Sequence, residues 1–564
     1  MKINKPMLCV ISVATLFTSS FAFADFGVKH NEEYKNRGME VGPVSGKRFE
    51  SVSRRYRNYQ TPLFYSPDAS RDQRPFDFLS ISDLLNTHNI GAIEETLGGH
   101  IDQEHLESLS PEDAFIEAFE EGDELFEIKY NAIDGVGINV GNGRRFSRMP
   151  RPDLDGPMSW ASVLPHRITG PNGDSCVGCH SLPTADGAGE IADNTVRIDP
   201  NREQNGTIER QAPHMFGVGA QQMLAEEMTT DLQALRDAAV ESSCSTRRSQ
   251  TVALQSKGVD FGSISVSCNR INYRDLDGVD PSLIVKPFEW KGLTATVRDF
   301  ARGAFHQELG MQAQELVGDV DADFDGVSNE LTVGDITALT VYAAAQPRPV
   351  TKLELNQVID QLAPEIVEEQ GLPLDDTEIA SIQNGEQVFE AVNCSGCHKP
   401  SLTANSPVFS EPSLHPDFRD DEFPAGSQVR TPQVAITFDI TTDMPNNPEV
   451  LPSGQTLGNF EADENGGAIV RLYADLKRHE MGEALAEEID EGNVGSNSMF
   501  MTEALWGVGA TPPYLHDGRA TTLVEAIAYH GGDAQESKDA FLALSIEDQT
   551  DLIAFLDNLV MILD

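Results

Sequence analysis

The sequence contains the pattern Cys-x-x-Cys-His twice, and no other feature constrains the chain as strongly. The copies read Cys176-Val-Gly-Cys179-His180 and Cys394-Ser-Gly-Cys397-His398. A Cys-x-x-Cys pair alone would fit a thioredoxin-type redox site or half of a zinc site. A zinc site would need a second cysteine pair at short spacing, and neither copy has one. The histidine that directly follows each pair favours a third interpretation.

That interpretation is covalent attachment of two c-type haems. The two thiols of each pattern would add to the haem vinyl groups, and the adjacent imidazole would become the proximal iron ligand. We therefore expect His180 and His398 to ligate iron, and the attachment residues to be Cys176, Cys179, Cys394 and Cys397. Because such attachment takes place outside the cytoplasm, the N-terminus should carry an export signal.

The N-terminus has the composition of a signal peptide. Lys2 and Lys5 precede a largely apolar run, and Ala22-Phe23-Ala24 offers small residues for cleavage. A membrane anchor is the alternative, but the run is too short to span a bilayer, and the sequence has no later stretch of about 18 apolar residues. We predict cleavage after Ala24, a periplasmic location and no membrane span.

The remaining cysteines and the net charge bear on the redox compartment of the chain and on its partners. Cys9 would leave with the signal, and Cys244 and Cys268 would form a disulfide in an oxidising compartment, or else stay as two free thiols. The net charge of −49 disfavours nucleic acid as a partner. The same charge would attract a basic redox protein, although it is equally compatible with simple solubility.

Sequence patterns typical of helices occur in the units around both Cys-x-x-Cys-His motifs. A helix is predicted from Asp376, with Ile382, Gly385 and Phe389 on one face, and a closing helix from Ser545 to Leu559. The first unit closes with a similar helix, Asp335 to Ala345. We predict a mainly α chain with two cytochrome c-type haem domains, long loops and an N-terminal helical extension. The predicted boundaries are 1–24 for the signal peptide, 25–120 for the extension, 121–350 for the first domain with an insertion at 220–287, and 351–564 for the second domain.

Several short motifs also occur in the same order in both units. Leu505-Trp-Gly-Val-Gly509, His516-Asp-Gly518 and Thr522-x-x-Glu525 in the second unit match Met215-Phe-Gly-Val-Gly219, Trp290-Lys-Gly292 and Thr296-x-x-Asp299 in the first. Each Thr-x-x-acid is a capping box that starts a helix. Eight residues after Thr522 comes His530, either a satisfied core histidine or the sixth ligand of a haem. The equivalent residue after Thr296 is Ala304, which cannot ligate iron. One haem is therefore predicted to be six-coordinate and the other open.

His306 and Glu308 follow Ala304 in the sequence, and their side chains can transfer protons. Each would be able to move a proton on bound peroxide. The alternatives are that both lie on the surface of a helix end, or that His306 ligates the iron in a resting form.

With these residues assigned, the chain resembles the di-haem cytochrome c peroxidase superfamily, closest to its branch of di-haem oxidoreductases, often called thiol oxidoreductase-like. The resemblance covers roughly residues 120–564. The motifs that carry it are Phe288-Glu-Trp-Lys-Gly, Glu308-Leu-Gly-Met, Arg478-His-Glu-Met-Gly482 and Trp506-Gly-Val-Gly-Ala-Thr-Pro-Pro-Tyr-Leu-His-Asp-Gly-Arg519.

The resemblance implies a role for several residues. The N-terminal haem would bind peroxide or oxygen, and the C-terminal haem would store an electron with His530 as its distal ligand. Trp290 matches a tryptophan between the haems, and Glu308 matches the distal acid of the peroxide pocket. Phe300 stands where some members have a distal glutamine. In this respect the chain looks more like the rubber oxygenases, whose open haem binds oxygen in an apolar pocket.

Calcium is predicted at two places. The resemblance implies a site between the domains with backbone oxygens of Thr511 and Pro513. Separately, Asp321, Asp323 and Asp325, followed by Gly326, match the start of an EF-hand loop. The closing acid at the twelfth position of that loop is replaced by Thr332, although Glu330 is near. A solvated acidic turn is the alternative.

The sequence therefore predicts a periplasmic di-haem peroxidase, with Glu308, His306 and Trp290 as catalytic residues and electrons from a small c-type cytochrome or cupredoxin. Two alternatives stay open. One is an oxygenase or protein-modifying oxidase on the same scaffold, which Phe300 favours. The other is a di-haem electron carrier without turnover, in which both irons would be six-coordinate.

Overall fold

The structure is a computed structural model of the chain. It describes residues 97–562 apart from 141–143, 147–170, 191–192, 197–206, 269, 324, 420–422, 425–426, 428, 446–449, 455 and 488–494. The predicted signal peptide and most of the predicted N-terminal extension lie outside the described residues.

The α-helices of the described residues are α1 (Gln103–Ser108), α2 (Pro111–Glu127), α3 (Val218–Thr246), α4 (Val297–Ala304), α5 (Gln314–Val317), α6 (Val333–Ala344), α7 (Lys352–Leu355), α8 (Pro364–Glu369), α9 (Asp376–Ala391), α10 (Leu523–Tyr529), α11 (Gln535–Leu542) and α12 (Ile546–Asp557).

The strands form several small antiparallel sheets. Two of these sheets have three strands, in the orders β5–β6–β7 and β12–β13–β9, and the others are pairs: β1–β2, β3–β4, β8–β16, β10–β11 and β14–β15. The strands are β1 (Ile138–Val140), β2 (Arg144–Phe146), β3 (Asp193–Val196), β4 (Thr207–Arg210), β5 (Gln250–Ser256), β6 (Val259–Ser267), β7 (Arg270–Leu276), β8 (Val350–Thr351), β9 (Leu402–Ala404), β10 (Val408–Glu411), β11 (Ile436–Asp439), β12 (Glu461–Ala462), β13 (Ala468–Val470), β14 (Arg478–Glu480), β15 (Met499–Met501) and β16 (Leu559–Val560).

The prediction of a mainly α chain is wrong. The described residues form a mixed structure, with 38% helix and 16% strand. Most of the difference comes from segments that the sequence analysis assigned to an insertion or to loops. Backbone N–H and C=O groups that leave water need partners, and short antiparallel pairs supply them where the chain does not form helices.

The first haem unit is built on two helices that cross closely. Helix α2 packs against α6 near Gly122, where a Cβ atom would lie 2.4 Å from the carbonyl oxygen of Ala338. Only glycine permits this approach. The predicted domain boundary at residue 120 falls inside α2, whose buried residues belong to the same core as α6. The helix predicted from Asp335 to Ala345 is confirmed as α6, which begins two residues earlier, at Val333, because Thr332 caps it.

The second haem unit repeats this arrangement with α9 and α12. The predicted helix start at Asp376 is confirmed, and Asp375 caps it with Glu378 in a full capping box. At Gly385 a Cβ atom would lie 1.9 Å from the carbonyl oxygen of Asp551, so glycine again permits a close helix pair. The predicted closing helix is confirmed from Ile546 to Asp557, and its last residues continue as β16.

The insertion packs a long helix on a three-stranded sheet, and its buried residues join the core of the first unit. Helix α3 packs on the sheet β5–β6–β7, and a disulfide joins Cys244 at the end of α3 to Cys268 after β6. The apolar residues of β6 alternate with polar ones, as expected for a strand with one buried face. Within the part of the chain that the structure describes, no helix has the length and apolar character needed to cross a membrane.

Candidate haem-binding sites

The C-terminal site is defined by two histidines that face each other. The ring centroids of His398 and His530 are 6.5 Å apart, with an angle of 48° between the ring planes. A metal-bound imidazole nitrogen lies about 2 Å from the metal, so two rings on opposite sides of one metal have centroids about 6 Å apart. The spacing therefore fits one iron between the two rings.

Hydrogen bonds fix the orientation of both rings. Nδ1 of His398 donates to the carbonyl oxygen of Tyr473 at 3.0 Å, and Nδ1 of His530 donates to that of Ala526 at 2.8 Å. A carbonyl oxygen only accepts, so Nδ1 carries the proton and Nε2 is the ligand atom in both residues. Burial, with the nearby His530, lowers the pKa of His398 to about 4, and burial also lowers the pKa of His530. Both rings are therefore neutral near pH 7, as metal ligation requires.

An apolar cavity of about 250 Å³ surrounds this pair. Cys394 and Cys397 line it beside His398, and burial raises the pKa of the Cys394 thiol to about 11. Apolar side chains from several elements complete the wall: Phe389, Leu505, Ile527, Leu552 and Leu556. Two thiols, two opposed imidazoles and an apolar wall fit a haem attached at this position.

The N-terminal attachment residues lie against the first core. Nδ1 of His180 donates to the carbonyl oxygen of Gly187 at 3.3 Å, and the His180 ring lies 6.0 Å from that of Phe126. Cys176 packs against the core, and burial raises the pKa of its thiol to about 12. Cys179 is half-buried beside it. The bond from Nδ1 is the one that a haem-ligating histidine makes, so these residues also fit a haem.

His306 and Glu308 lie on a π-helical turn, Phe305–Leu309. Such turns are rare and occur frequently at functional sites. His306 is fully buried, so it is not a surface residue, whereas Glu308 is half-buried. The backbone N–H groups of Asn172 and Gly173 donate to the carbonyl oxygen of Glu308 at 2.8 and 2.9 Å. The turn therefore lies against the segment that leads into Cys176. The catalytic roles of both residues stay predictions.

The helices that end at Ala304 and His530 start in the same way. Thr296 caps α4 by accepting from the N–H of Asp299 at 3.0 Å, and Thr522 caps α10 by accepting from that of Glu525 at 3.2 Å. The predicted capping box is complete at Thr522. At Thr296 only the threonine half of the box is present, and the carboxylate of Asp299 pairs with Arg302 at 2.6 Å. Ala304 and His530 are thus equivalent positions with opposite ability to ligate a metal.

Trp290 lies in the wall of the C-terminal cavity. Its Nε1 donates to the carbonyl oxygen of Gln211 at 2.8 Å, and the N–H of Gln211 donates to the carbonyl oxygen of His516 at 2.8 Å. The indole is therefore held by the backbone of Gln211, which also binds the second unit through His516. Its predicted role in electron transfer stays a prediction.

The acidic calcium candidate is a tight cluster. One carboxylate oxygen from each of Asp321, Asp323 and Asp325 lies within 4.8 Å of the others, and Asp323 and Asp325 are fully buried. Glu330 is also buried, and its Oε2 accepts from the N–H of Gln312 at 2.7 Å. Thr511 and Pro513 lie elsewhere, in the wall of the C-terminal cavity. Calcium at either place stays a prediction.

Asp475 and His479 form a pair beside the predicted C-terminal attachment residues, and no motif in the sequence predicted it. Nε2 of His479 lies 2.8 Å from Oδ2 of Asp475, and Nδ1 lies 3.8 Å from Sγ of Cys397. Burial opposes protonation, but the hydrogen bond to Asp475 raises the pKa of His479 to about 10. The i, i+4 spacing of this pair was visible in the sequence, but its position beside Cys397 was not.

Comparison with known sequences supports this description in the C-terminal part. Residues 440–559 match the family described as "Di-haem oxidoreductase, putative peroxidase". The matched segment contains Trp506, His516 and His530 and begins after His398. The predicted resemblance to this family is therefore confirmed, and it supports a di-haem oxidoreductase with haem cofactors. Among curated proteins, no sequence matches the chain.

Two solved structures are similar to the chain at low identity. A MauG-like protein associated with microbial copper homeostasis is 17% identical, with 48% of this chain and 68% of that chain covered and a TM-score of 0.24. Hydrazine synthase from Kuenenia stuttgartiensis is 12% identical, with 86% of this chain and 100% of that chain covered and a TM-score of 0.31. Both TM-scores are low, so neither similarity decides the fold or the activity of this chain.

Proposed function

We propose that this protein is a periplasmic di-haem peroxidase that reduces hydrogen peroxide with electrons from a small redox protein. The observation that carries the proposal is the difference between two equivalent positions. His530 faces His398 at 6.5 Å between ring centroids, whereas the equivalent residue in the first unit is Ala304. The C-terminal site thus has two histidines that could ligate a haem iron, whereas the first unit offers no such side chain at the equivalent position and would leave room there for a small substrate.

The c-type haems would be attached through Cys176, Cys179, Cys394 and Cys397, and when bound they supply the electron storage and peroxide binding that side chains lack. The side chains around them do the rest. His398 and His530 would hold the C-terminal haem, and the hydrogen bonds from their Nδ1 atoms to carbonyl oxygens orient the two rings for this. The ligand set at this site should therefore not change during turnover.

Proton handling falls to the π-helical turn of the first unit. Peroxide reduction takes two electrons and two protons and yields two water molecules. Glu308 would take a proton from one oxygen of hydrogen peroxide and return it to the other, so that water can leave. The backbone bonds from Asn172 and Gly173 hold Glu308 next to the attachment segment, and the buried His306 lies two residues before it on the same turn. His306 would assist this transfer.

Electron entry is assigned to the second unit. The net charge of −49 would attract a small basic donor, a c-type cytochrome or a cupredoxin, from a distance. Trp290 would then connect the two sites, because it lines the C-terminal cavity and belongs in sequence to the first unit.

An oxygenase or protein-modifying oxidase is the second candidate, and Phe300 favours it. Phe300 lies on α4 and its ring contacts that of Phe288, with centroids 6.5 Å apart. An apolar wall at this position suits oxygen or an organic substrate better than a peroxide, which needs hydrogen-bonding groups.

The proposal is tested by turnover of the purified holoprotein with hydrogen peroxide and a reduced c-type cytochrome. Peroxide-dependent oxidation of the cytochrome, at two molecules for each peroxide, is the expected result. Absence of this reaction, together with oxygen consumption in the presence of a reductant, would transfer the assignment to oxygen chemistry. Absence of both reactions would leave an electron carrier.

A further inference from the structure

Glu503 is a carboxylic acid in the wall of the otherwise apolar C-terminal cavity. It follows β15, and the backbone is fixed on both sides of it. The N–H of Thr502 donates to the carbonyl oxygen of Lys477 at 3.0 Å, and the N–H of Leu505 donates to that of Leu472 at 3.0 Å. Glu503 is therefore held at the cavity wall rather than on a free loop.

Among the residues that the structure describes, none forms a hydrogen bond or an ion pair with the side chain of Glu503. The side chain is half-buried in the cavity wall, and burial raises the pKa of Glu503 to about 7 because the charged form loses part of its hydration. Both protonation states are therefore accessible at neutral pH.

The cavity has other titratable residues on its wall besides the four assigned to haem attachment and ligation. They are His214, His479, Tyr514, His516, Asp533 and Lys538. Burial lowers the pKa of His214 and of His516 to about 4, and it raises that of Tyr514 to about 12. Since the pKa of His479 is raised to about 10, these four groups keep their protonation state near pH 7. Asp533 is exposed, so the cavity reaches the surface at that point.

We propose that Glu503 is a proton-binding site that compensates the charge of an electron stored at the C-terminal haem site. The inference rests on the haem attachment proposed above but not on the reduction of peroxide. The site gains one electron from the small redox donor, and the Glu503 carboxylate gains one proton from solvent and becomes a neutral acid. When the electron leaves for the first unit, the proton returns to solvent.

The coupling follows from electrostatics in an apolar cavity. A negative charge near an added electron raises the free energy of the reduced state, and the low local dielectric constant makes this interaction strong. Protonation of Glu503 removes that repulsion. The reduction potential of the C-terminal haem should therefore fall as pH rises through the pKa of Glu503, by up to about 59 mV for each tenfold change in proton concentration.

The test is an optical redox titration of the purified holoprotein from about pH 5.5 to about pH 8.5. A potential of the C-terminal haem that falls with pH in the wild type, and is nearly constant in Glu503→Gln, is the expected result. Glu464→Gln, at an exposed glutamate of the same unit, is the matched control and should keep the wild-type slope.

Two results would overturn the inference. One is a wild-type potential that does not change with pH, which requires no variant at all. The other is a Glu503→Gln protein with normal haem content that keeps the wild-type slope. A wild-type protein without covalently bound haem would instead contradict the proposed function, so the two failures are distinguishable.

Discussion

Trp290 and His516 occupy equivalent positions in the two haem units, and their rings meet edge to face with centroids 6.4 Å apart. The equivalence is visible in the backbone. Phe288 pairs with Thr294 around Trp290, as Tyr514 pairs with Ala520 around His516. Gly292 and Gly518 also have nearly the same φ, 62° and 65°. The two units therefore contact each other through the same structural element, with tryptophan on one side and histidine on the other.

This contact predicts that Trp290 connects the two haem sites. Trp290→Phe keeps an aromatic ring but removes the indole N–H that donates to Gln211. Electron transfer between the haems should slow by about tenfold or more, equal to about 1.4 kcal/mol in activation free energy. The measurement is rapid mixing of the half-reduced protein with peroxide, followed by absorbance of the C-terminal haem. An unchanged rate, at normal haem content, would exclude Trp290 as the connection.

Glu308 should control proton transfer. Glu308→Gln keeps the size of the side chain but cannot accept a proton, so peroxide turnover should fall by roughly 10²–10⁴-fold, the usual contribution of general acid–base catalysis. Steady-state oxidation of a reduced c-type cytochrome measures this. Glu120→Gln, on the exposed face of α2, is the control and should leave turnover unchanged. Equal loss in both variants, or loss of haem from Glu308→Gln, would count against a catalytic role.

The acidic cluster should bind calcium if the EF-hand resemblance is meaningful. Two fully buried aspartates beside a third carboxylate are expected to repel each other without a cation. Removing calcium with a chelator should then lower the melting temperature, and Asp323→Asn should weaken this dependence. Calorimetric titration of the chelator-treated protein with calcium measures the binding directly. No heat and no shift in melting temperature would favour the solvated acidic turn.

Asp186 should make stability depend on pH. It is 2% exposed, and Oδ2 accepts from the hydroxyl of Tyr342 at 2.6 Å. Burial raises the pKa of Asp186 to about 7, above its ordinary value, so the neutral acid is the favoured form in the folded state. The stability that this group contributes is complete below its unfolded pKa and is lost as pH rises through 7.

Asp186→Asn should therefore lose this pH dependence and gain stability relative to the wild type at about pH 8, by a few kcal/mol at most. Thermal unfolding at about pH 5 and about pH 8 measures the difference. Asp539→Asn, exposed on α11, should behave as the wild type at both pH values. A constant difference between Asp186→Asn and the wild type would show that Asp186 does not titrate in this range.

Sequence patterns predicted the local features of this molecule well. The helices that start at Asp376 and Ser545 were predictable because apolar spacing and capping residues are local. The positions of His530 and Ala304 followed from counting eight residues after Thr522 and Thr296. In the structure, Thr522 and Thr296 each cap the helix from which these positions were counted.

The strands and the environment of the sites were not predictable in the same way. Apolar and polar residues alternate in parts of 250–276, which is typical of strands, and the prediction of a mainly α chain did not include these strands. Most of the other strands are two to four residues long, too short for a periodic pattern. The carbonyl of Tyr473 that orients His398 is 75 residues away in sequence, and Glu503 has no motif at all. Such contacts depend on tertiary packing alone.

The central claim is that the two haem sites have unequal axial ligation, and low-temperature electron paramagnetic resonance of the oxidised holoprotein tests it most directly. The account predicts a low-spin signal from a bis-histidine site that is lost or converted to high spin in His530→Ala, with a second haem signal that this substitution does not change. A His530→Ala spectrum identical to that of the wild type would contradict it. Met481 or another residue would then be the ligand opposite His398, and the unequal pair inferred from His530 and Ala304 would not exist.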